Sequence, residues 1–246
     1  MAPMPSLRPI SFTSESVNEI ARALKTQTRR VIYPQPAGDA LTKDAGAEWP
    51  RGGKPRPINN KWIDAAGKSW RCPYGDAGDR LWVREIWARV EPYPTVMEDY
   101  RMPVDWRVEK TPLLLEYWRK RVIFLADYPG KMPEDCGCGA TDNAWRTPLS
   151  MPRWAARLHL GVTEVRTARL QSVSAADCEA EGIAVYKGQD WMHAGHDKAT
   201  DRIYLERFKK RWDSINGTKN PWSANPMVWA VSFKMERIFL FKEMAA

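Results

Sequence analysis

The segment KTQTRR, residues 25–30, places three cations and two hydroxyl groups within six residues. A threonine hydroxyl becomes a nucleophile when a base removes its proton, and a partly desolvated lysine of lowered pKa can be that base. The same lysine and arginines could instead hold phosphate without any reaction. A third interpretation is a basic helix C-terminus, where cations meet the negative end of the helix dipole. The segment alone leaves all three open.

The residues before KTQTRR predict a helix, and those after it predict a strand. Ser16 followed by Glu19 is typical of a capping box at the helix start. Pro34 and Pro36 end any helical period, so the chain is expected to leave the helix near Lys25 and become extended. The apolar stripe of the helix is Val17, Ile20, Ala21 and Leu24. KTQTRR is therefore predicted to lie at a helix-to-strand junction.

Downstream patterns predict further strands and helices. Strands are indicated by GDRLWVREIW, RVIFLADY, ARLHLGVTEVRTARLQ and MVWAVSFKMERIFLF. Ser174 with Asp177 predicts a capping box on a short helix that Gly182 ends. A longer helix is predicted before Asn216-Gly217, with its apolar face at Ile203, Leu205, Phe208, Trp212 and Ile215. This order fits an α+β domain with a small mixed or antiparallel barrel and helices at its ends.

Several of these segments resemble the ASCH domain, a β-barrel of the PUA-like superfamily. They are the helix with KTQTRR, then GDRLWVRE, RLQSVSAADCEAEGI and WAVSF. Four more are similar to the long ASCH-like proteins of bacteriophages and prophages: RPISF, CPYG, MPRWAARL and WDSING. The resemblance implies a single domain over residues 1–246, an α+β fold with a small PUA-like barrel and flanking helices. It leaves two long insertions, at about residues 38–70 and 90–147, which a minimal ASCH domain lacks.

The resemblance also implies a cleft that handles RNA or a modified nucleobase. In the 4-acetylcytidine amidohydrolases of this family, the catalytic lysine and threonine lie in a K-T-x-T motif that is similar to Lys25 and Thr28. The catalytic glutamate aligns with Glu181, and Glu179 is the alternative. In this interpretation Lys25 activates Thr28, and Glu181 orients water or passes a proton to the leaving amine. The reaction would be hydrolysis of an N-acylated cytidine or a related base, without a metal or a cofactor.

Four further residues are predicted to contact the nucleic acid or substrate: Thr26, Arg29, Arg30 and Arg84. The net charge of +8 agrees with an anionic partner such as RNA, because a phosphate backbone favours clustered lysine and arginine. Two other functions remain open. The chain could be a non-catalytic RNA- or nucleic-acid-binding module, or a phage accessory or assembly protein that uses the fold as a scaffold.

Further predictions concern the burial and the chemistry of the tryptophans and cysteines. Trp82, Trp87 and Trp229 are expected in the core, whereas Trp70, Trp191 and Trp222 lie in predicted loops and are candidates for base stacking. Cys136 and Cys138 are closer together than zinc ligands usually are, so a site with Cys72 is not predicted. Reduced thiols are expected, with Cys178 buried.

The chain has no run of apolar residues long enough for a membrane span, and its first residues do not resemble a signal peptide. These patterns predict a cytoplasmic protein that does not contact a membrane. For a phage protein, that compartment is the cytoplasm of the host cell.

Overall fold

The structure is a computed structural model that describes residues 6–44, 47–48, 56–57, 61–89, 122–127, 145–184 and 198–238. Within these ranges the fold is α+β, as the sequence predicts. The α-helices are α1 (Ser14–Ala21), α2 (Ala175–Ala180) and α3 (Lys198–Asn216). The strands are β1 (Leu7–Ser11), β2 (Gln27–Val31), β3 (Thr42–Lys43), β4 (Ala47–Glu48), β5 (Arg56–Pro57), β6 (Trp62–Ile63), β7 (Ser69–Trp70), β8 (Arg80–Arg84), β9 (Trp87–Arg89), β10 (Val122–Phe124), β11 (Leu158–Arg169) and β12 (Met227–Ile238).

The largest sheet has five strands in the order β1-β8-β11-β12-β2. Strands β12 and β2 are antiparallel, with Val231 opposite Thr28 and Trp229 opposite Arg30. Smaller sheets are formed by β3-β6-β7, by β4-β5 and by β9-β10. The single strand β11 covers most of the segment ARLHLGVTEVRTARLQ, for which a strand was predicted. Closure of the large sheet into a barrel stays a prediction.

The chain divides into two compact units. Unit 1 comprises Met1–Arg8, Glu19–Leu81 and Leu160–Glu236, and unit 2 comprises Pro9–Asn18, Trp82–His159 and Arg237–Ala246. The assignment of residues 1–246 to one ASCH-like domain stays a prediction.

In unit 1, α2 and α3 pack with the end of β11 and the start of β12. Their shared core is Leu170, Val173, Ala175, Cys178, Ile183, Tyr204, Phe208, Trp212 and Val228. The buried face of α3 has a four-residue spacing, at Thr200, Tyr204, Phe208 and Trp212. The predicted face was wrong for Ile203 and Ile215, which are exposed. The stripe that faces α2 and β12 is the aromatic one, so the two isoleucines lie outside it.

The start of α1 differs from the predicted capping box. The Ser16 N–H donates to Thr13 Oγ1 at 3.3 Å, and the Val17 N–H donates to the Thr13 carbonyl at 2.9 Å. Thr13, not Ser16, therefore occupies the capping position. The Thr13 hydroxyl accepts the capping hydrogen bond at the start of α1, a role that the sequence pattern had assigned to the Ser16 hydroxyl.

The end of α1 also comes earlier than predicted. The helix stops at Ala21, and Ala23 adopts a left-handed backbone with φ of 57°. Ile20 is buried as expected, but Ala21 and Leu24 are exposed. The left-handed residue turns the chain before Leu24, so Leu24 no longer follows the apolar stripe. Lys25 still lies between a helix and a strand, as predicted.

Helix α2 forms with the predicted cap. The Asp177 N–H donates to Ser174 Oγ at 3.1 Å, and the Ser174 N–H donates to Asp177 Oδ2 at 3.2 Å. Gly182 follows with a left-handed φ of 86°. These local signals are correct because both partners of a capping box lie within four residues of each other.

The segment at about residues 38–70, interpreted as an insertion, contains the hairpin β6–β7. Asp64 organises its turn: Oδ1 accepts from the N–H groups of Ala66 and Lys68 at 3.0 and 2.9 Å, and Oδ2 accepts from Trp70 Nε1 at 3.0 Å. Trp70 lies opposite Trp62 and is buried. The prediction of a loop tryptophan was therefore wrong for Trp70, because turn-forming residues connect two short strands here.

In unit 2 the buried carboxylate of Glu85 shares one arginine with Asp127. Arg157 donates to both oxygens of Glu85 at 2.8 Å and to both oxygens of Asp127 at 2.8 and 2.7 Å. Its guanidinium lies 4.3 Å from the ring centroid of Phe124. Trp82 and Trp87 are buried in this unit, as predicted. Among the helices that the structure describes, none is long and apolar enough to span a bilayer.

Candidate functional site

The KTQTRR segment is held on both sides by backbone hydrogen bonds within unit 1. Lys25 forms a single antiparallel bridge with Glu181, and the Thr26 N–H donates to the Ala180 carbonyl at 2.8 Å. On the other side, the Thr26 carbonyl accepts from the Phe233 N–H at 2.8 Å. The segment therefore runs between the C-terminal end of α2 and strand β12.

Lys25 and Glu181 form a buried ion pair, although 156 residues separate them in sequence. Lys25 Nζ donates to Glu181 Oε2 and to the Glu181 carbonyl, both at 2.7 Å. Each residue is only 5% exposed. Glu179, the alternative alignment, is exposed on α2. The structure thus brings Lys25 together with Glu181 and not with Glu179.

Burial lowers the pKa of Lys25 below its usual value of 10.5, and the negative charge of Glu181 offsets part of this shift. Arg211 lowers the pKa further, and Glu19 raises it. The physical cause is desolvation, which disfavours the charged ammonium in a low-dielectric site. Lys25 therefore loses its proton more easily than a lysine in water.

Arg29 extends the ion pair into a network beneath the helices. Its Nη1 lies 3.2 Å from Glu181 Oε1, and its Nη2 lies 2.9 Å from Asp177 Oδ2. Asp177 also pairs with Arg166, and Gln27 bonds to both Arg29 and Asp177. Burial would raise the pKa of Asp177, but the Ser174 N–H and the guanidinium groups of Arg29 and Arg166 hold it below its usual value.

Side-chain alternation separates Thr28 from this network. Gln27 and Arg29 face the helices, and the Arg29 guanidinium lies 5.8 Å from the Phe208 ring centroid. Because successive side chains of a strand point to opposite faces, Thr28 lies on the other face, beside Val231. Thr28 is 4% exposed. No hydrogen bond joins it to Lys25 or Glu181.

The four predicted contact residues have different environments. Thr26 is exposed, Arg29 is buried in the ion-pair network, and Arg30 is partly exposed on the Thr28 face of β2. Arg84 belongs to unit 2, where its guanidinium lies 5.7 Å from the ring centroid of Trp82. Arg29 is thus paired with two carboxylates inside unit 1.

Sequence reasoning missed a second ion pair near Lys25. Arg211 on α3 donates to Glu19 Oε1 and Oε2, both at 2.8 Å. A Cβ added to Gly182 would lie 2.7 Å from Glu19 Oε2 and 3.2 Å from Lys25 Cβ. Glu19 had been interpreted as a capping residue, and no local pattern links it to a helix almost two hundred residues later.

The remaining site predictions concern metals and stacking. Within the described ranges, no group of three or more potential ligands could hold a metal ion. Burial raises the pKa of both Cys72 and Cys178 to about 12, so these thiols stay protonated at neutral pH. Trp222, a predicted stacking residue, packs partly buried against the α2–α3 core. Cys136, Cys138 and Trp191, for which predictions were made, lie outside the described residues.

Comparisons of the chain with protein-family models, with curated proteins and with solved structures return no match.

Proposed function

We propose that the chain is an ASCH-like protein that binds RNA or a modified nucleobase at strand β2 and hydrolyses the amide bond of an N-acylated cytidine or a related base. The proposal includes closure of the five-stranded sheet into a small PUA-like barrel. It rests on one observation: the lysine and glutamate that the resemblance selects, 156 residues apart, meet in a buried ion pair with Nζ–Oε2 at 2.7 Å.

The reaction uses the protons of this pair. Thr28 Oγ attacks the acyl carbonyl carbon, and its proton passes to the active-site base. The attack converts the acyl group into a tetrahedral oxyanion. The C–N bond then breaks, and the same proton passes to the amino nitrogen of the departing nucleobase. Water hydrolyses the threonine ester, releasing the carboxylic acid and regenerating Thr28. A buried lysine whose pKa is lowered by desolvation accepts and returns a proton more readily than a lysine in water would.

The position of Thr28 adds one requirement. Because its hydroxyl lies on the opposite face of β2 from Gln27 and Arg29, the proposed reaction needs a water molecule or a polar group of the substrate to carry the proton to Lys25. The same geometry supports a second candidate function, a binding module that recognises RNA without turnover. In that case Lys25 and Glu181 maintain the fold of the site and do not react.

Hydrolysis of 4-acetylcytidine and a panel of acylated nucleosides by the purified protein tests the proposal. Thr28→Val keeps the shape of the side chain and removes the nucleophile, so it should reduce turnover to background without unfolding the protein. Thr28→Ser is the matched control and should retain measurable turnover, because it keeps a hydroxyl.

The result that contradicts catalysis is the absence of product with wild-type protein across the panel. In that case the RNA affinity of the same samples decides for the binding module. Lys25→Ala and Glu181→Ala are assayed together with their unfolding curves, because both residues are buried in the ion-pair network.

A further inference from the structure

Trp62 has a buried polar group without a partner. It is 6% exposed, and its indole N–H has no hydrogen-bond acceptor in the part of the chain that the structure describes. Trp70, directly opposite in the same hairpin, donates its indole N–H to Asp64 Oδ2 at 3.0 Å. Buried N–H groups in native proteins almost always find an acceptor. The contrast within one hairpin leaves the Trp62 indole N–H as a buried donor that no described residue uses.

Trp62 lies on the same side of the sheet as Thr28. Its ring meets the ring of Trp229 edge to face, with centroids 5.5 Å apart and planes at 67°. Trp229 is opposite Arg30 in the β12–β2 pair, and Val231 is opposite Thr28. Trp229 and Thr28 are therefore diagonal neighbours on one face of the pair, within reach of an aromatic side chain.

This face thus carries one buried polar group that has no partner among the described residues, next to aromatic rings and on the same side as Thr28. The group is the Trp62 indole N–H, which can only donate. Aromatic rings next to a few directed polar groups are typical of sites for planar ligands. A donor-only group requires an acceptor on that ligand.

We propose that the Trp62 face of β2 and β12 is the nucleobase subsite, in which Trp62 Nε1–H donates to the ring carbonyl oxygen of a pyrimidine. The hairpin β6–β7, which lies in the region interpreted as an insertion, thereby supplies a specificity-determining residue. The inference rests on the proposed function for the class of ligand, but it requires binding only and not turnover.

The acceptor determines which nucleosides bind. Cytidine and 4-acetylcytidine both carry a ring carbonyl oxygen, whereas 2-thiocytidine carries sulfur there, which is a weak acceptor. Wild-type protein should therefore bind cytidine more tightly than 2-thiocytidine. Trp62→Phe keeps an aromatic ring without the N–H, so it should weaken cytidine binding about 3- to 10-fold, as expected for one neutral hydrogen bond. In this variant the preference for cytidine over 2-thiocytidine should disappear.

The experiment titrates cytidine, 4-acetylcytidine and 2-thiocytidine into full-length protein with ¹⁵N-labelled tryptophan, and follows the assigned indole resonances. Ligand-dependent movement of the Trp62 resonance, with the expected change of Kd in Trp62→Phe, supports the subsite. Trp70→Phe is the matched control: it removes the N–H that is already bonded to Asp64, so it should leave Kd unchanged.

Three outcomes overturn the inference. The first is nucleoside binding or hydrolysis with no movement of the Trp62 resonance, which leaves the proposed function intact. The second is an equal Kd for wild type and Trp62→Phe. The third is no nucleoside binding at millimolar concentration, which rejects the subsite and the nucleobase part of the proposed function together. If Trp62→Phe does not fold, the wild-type titration still decides.

Discussion

Glu181 forms ion pairs with two buried cations at once. One carboxylate oxygen lies 2.7 Å from Lys25 Nζ, and the other lies 3.2 Å from Arg29 Nη1. Arg29 has a second partner in Asp177, but the only carboxylate that pairs with Lys25 among the described ion pairs is Glu181. Removing one member of a buried pair is costly because it leaves a charge without compensation. The three residues therefore differ in how much the fold depends on them.

Glu181→Gln should lower the free energy of unfolding by about 3–5 kcal/mol at neutral pH, the usual effect of breaking a buried ion pair. Lys25→Met should cost less, because Glu181 keeps its contact with Arg29. Urea denaturation measures both, and Glu179→Gln on the exposed side of α2 is the control, with an expected change within about 0.5 kcal/mol. A larger loss for Lys25→Met than for Glu181→Gln would contradict this ranking.

The lowered pKa of Lys25 predicts a pH dependence of stability. Between the folded-state pKa and 10.5, the unfolded chain binds a proton at Lys25 that the folded chain does not. The contribution of this residue to the free energy of unfolding therefore rises with pH in that interval. The stability of wild type relative to Lys25→Met should increase from neutral pH toward 10, as measured by denaturation at a series of pH values. A constant or decreasing difference would show that the pKa is not lowered.

At the scale of elements, the turn after α2 determines how closely α1 and β2 approach Glu181. Gly182 has a φ of 86°, and an added Cβ would lie 2.7 Å from Glu19 Oε2. Gly67, in the turn of β6–β7, has a similar φ of 77° but has no atom within 4 Å of an added Cβ. The two glycines share the backbone requirement and differ in the space around them.

Gly182→Ala should therefore destabilise unit 1 more than Gly67→Ala. Gly67→Ala should cost about 1–2 kcal/mol, the strain of a left-handed residue with a Cβ. Gly182→Ala adds the displacement of Glu19 from its pair with Arg211, which should also change the chemical shifts of Lys25 and its neighbours. Thermal or urea unfolding of the two variants gives the comparison. Equal losses, with unchanged shifts at Lys25, would show that the turn tolerates a side chain.

At the scale of the whole molecule, the net charge of +8 predicts affinity for polyanions. Burial and ion pairing indicate which arginines are available for contact with a polyanion. Arg29 is buried and paired with two carboxylates, so its charge is already compensated. Arg30 is partly exposed on the face that carries Thr28. A phosphate contact is therefore expected from Arg30 and not from Arg29.

Arg30→Gln should weaken binding to single-stranded RNA and reduce the slope of log K against log salt concentration by about 0.7, the contribution of one phosphate contact. Arg202→Gln is the matched control, because Arg202 is 81% exposed in its side chain and pairs with Glu206 on α3, outside β2. Fluorescence anisotropy with labelled RNA at several salt concentrations measures both slopes. Equal slopes for wild type and Arg30→Gln would exclude Arg30 from the phosphate contacts.

The sequence by itself determined the features that depend on near neighbours. The cap of α2 at Ser174 and Asp177, the left-handed turn at Gly182 and the closing strand β12 all follow from residue types within a few positions. Lys25 and Glu181 were selected as candidate site residues by the family resemblance, which does not show that they meet. The errors at Ser16, Leu24 and Ile215 show the limit: apolar spacing is compatible with more than one start, end or face of a helix.

Only the tertiary structure decided which side of β2 each polar residue faces and what it meets there. It placed Arg29 in a buried network with Asp177, put Thr28 on the opposite face, and left the Trp62 indole N–H without an acceptor among the described residues. Strand alternation follows from the sequence only when the register with β12 and the position of the helices are known. The free energy of a buried charge or hydrogen bond likewise depends on partners that lie far away in the chain.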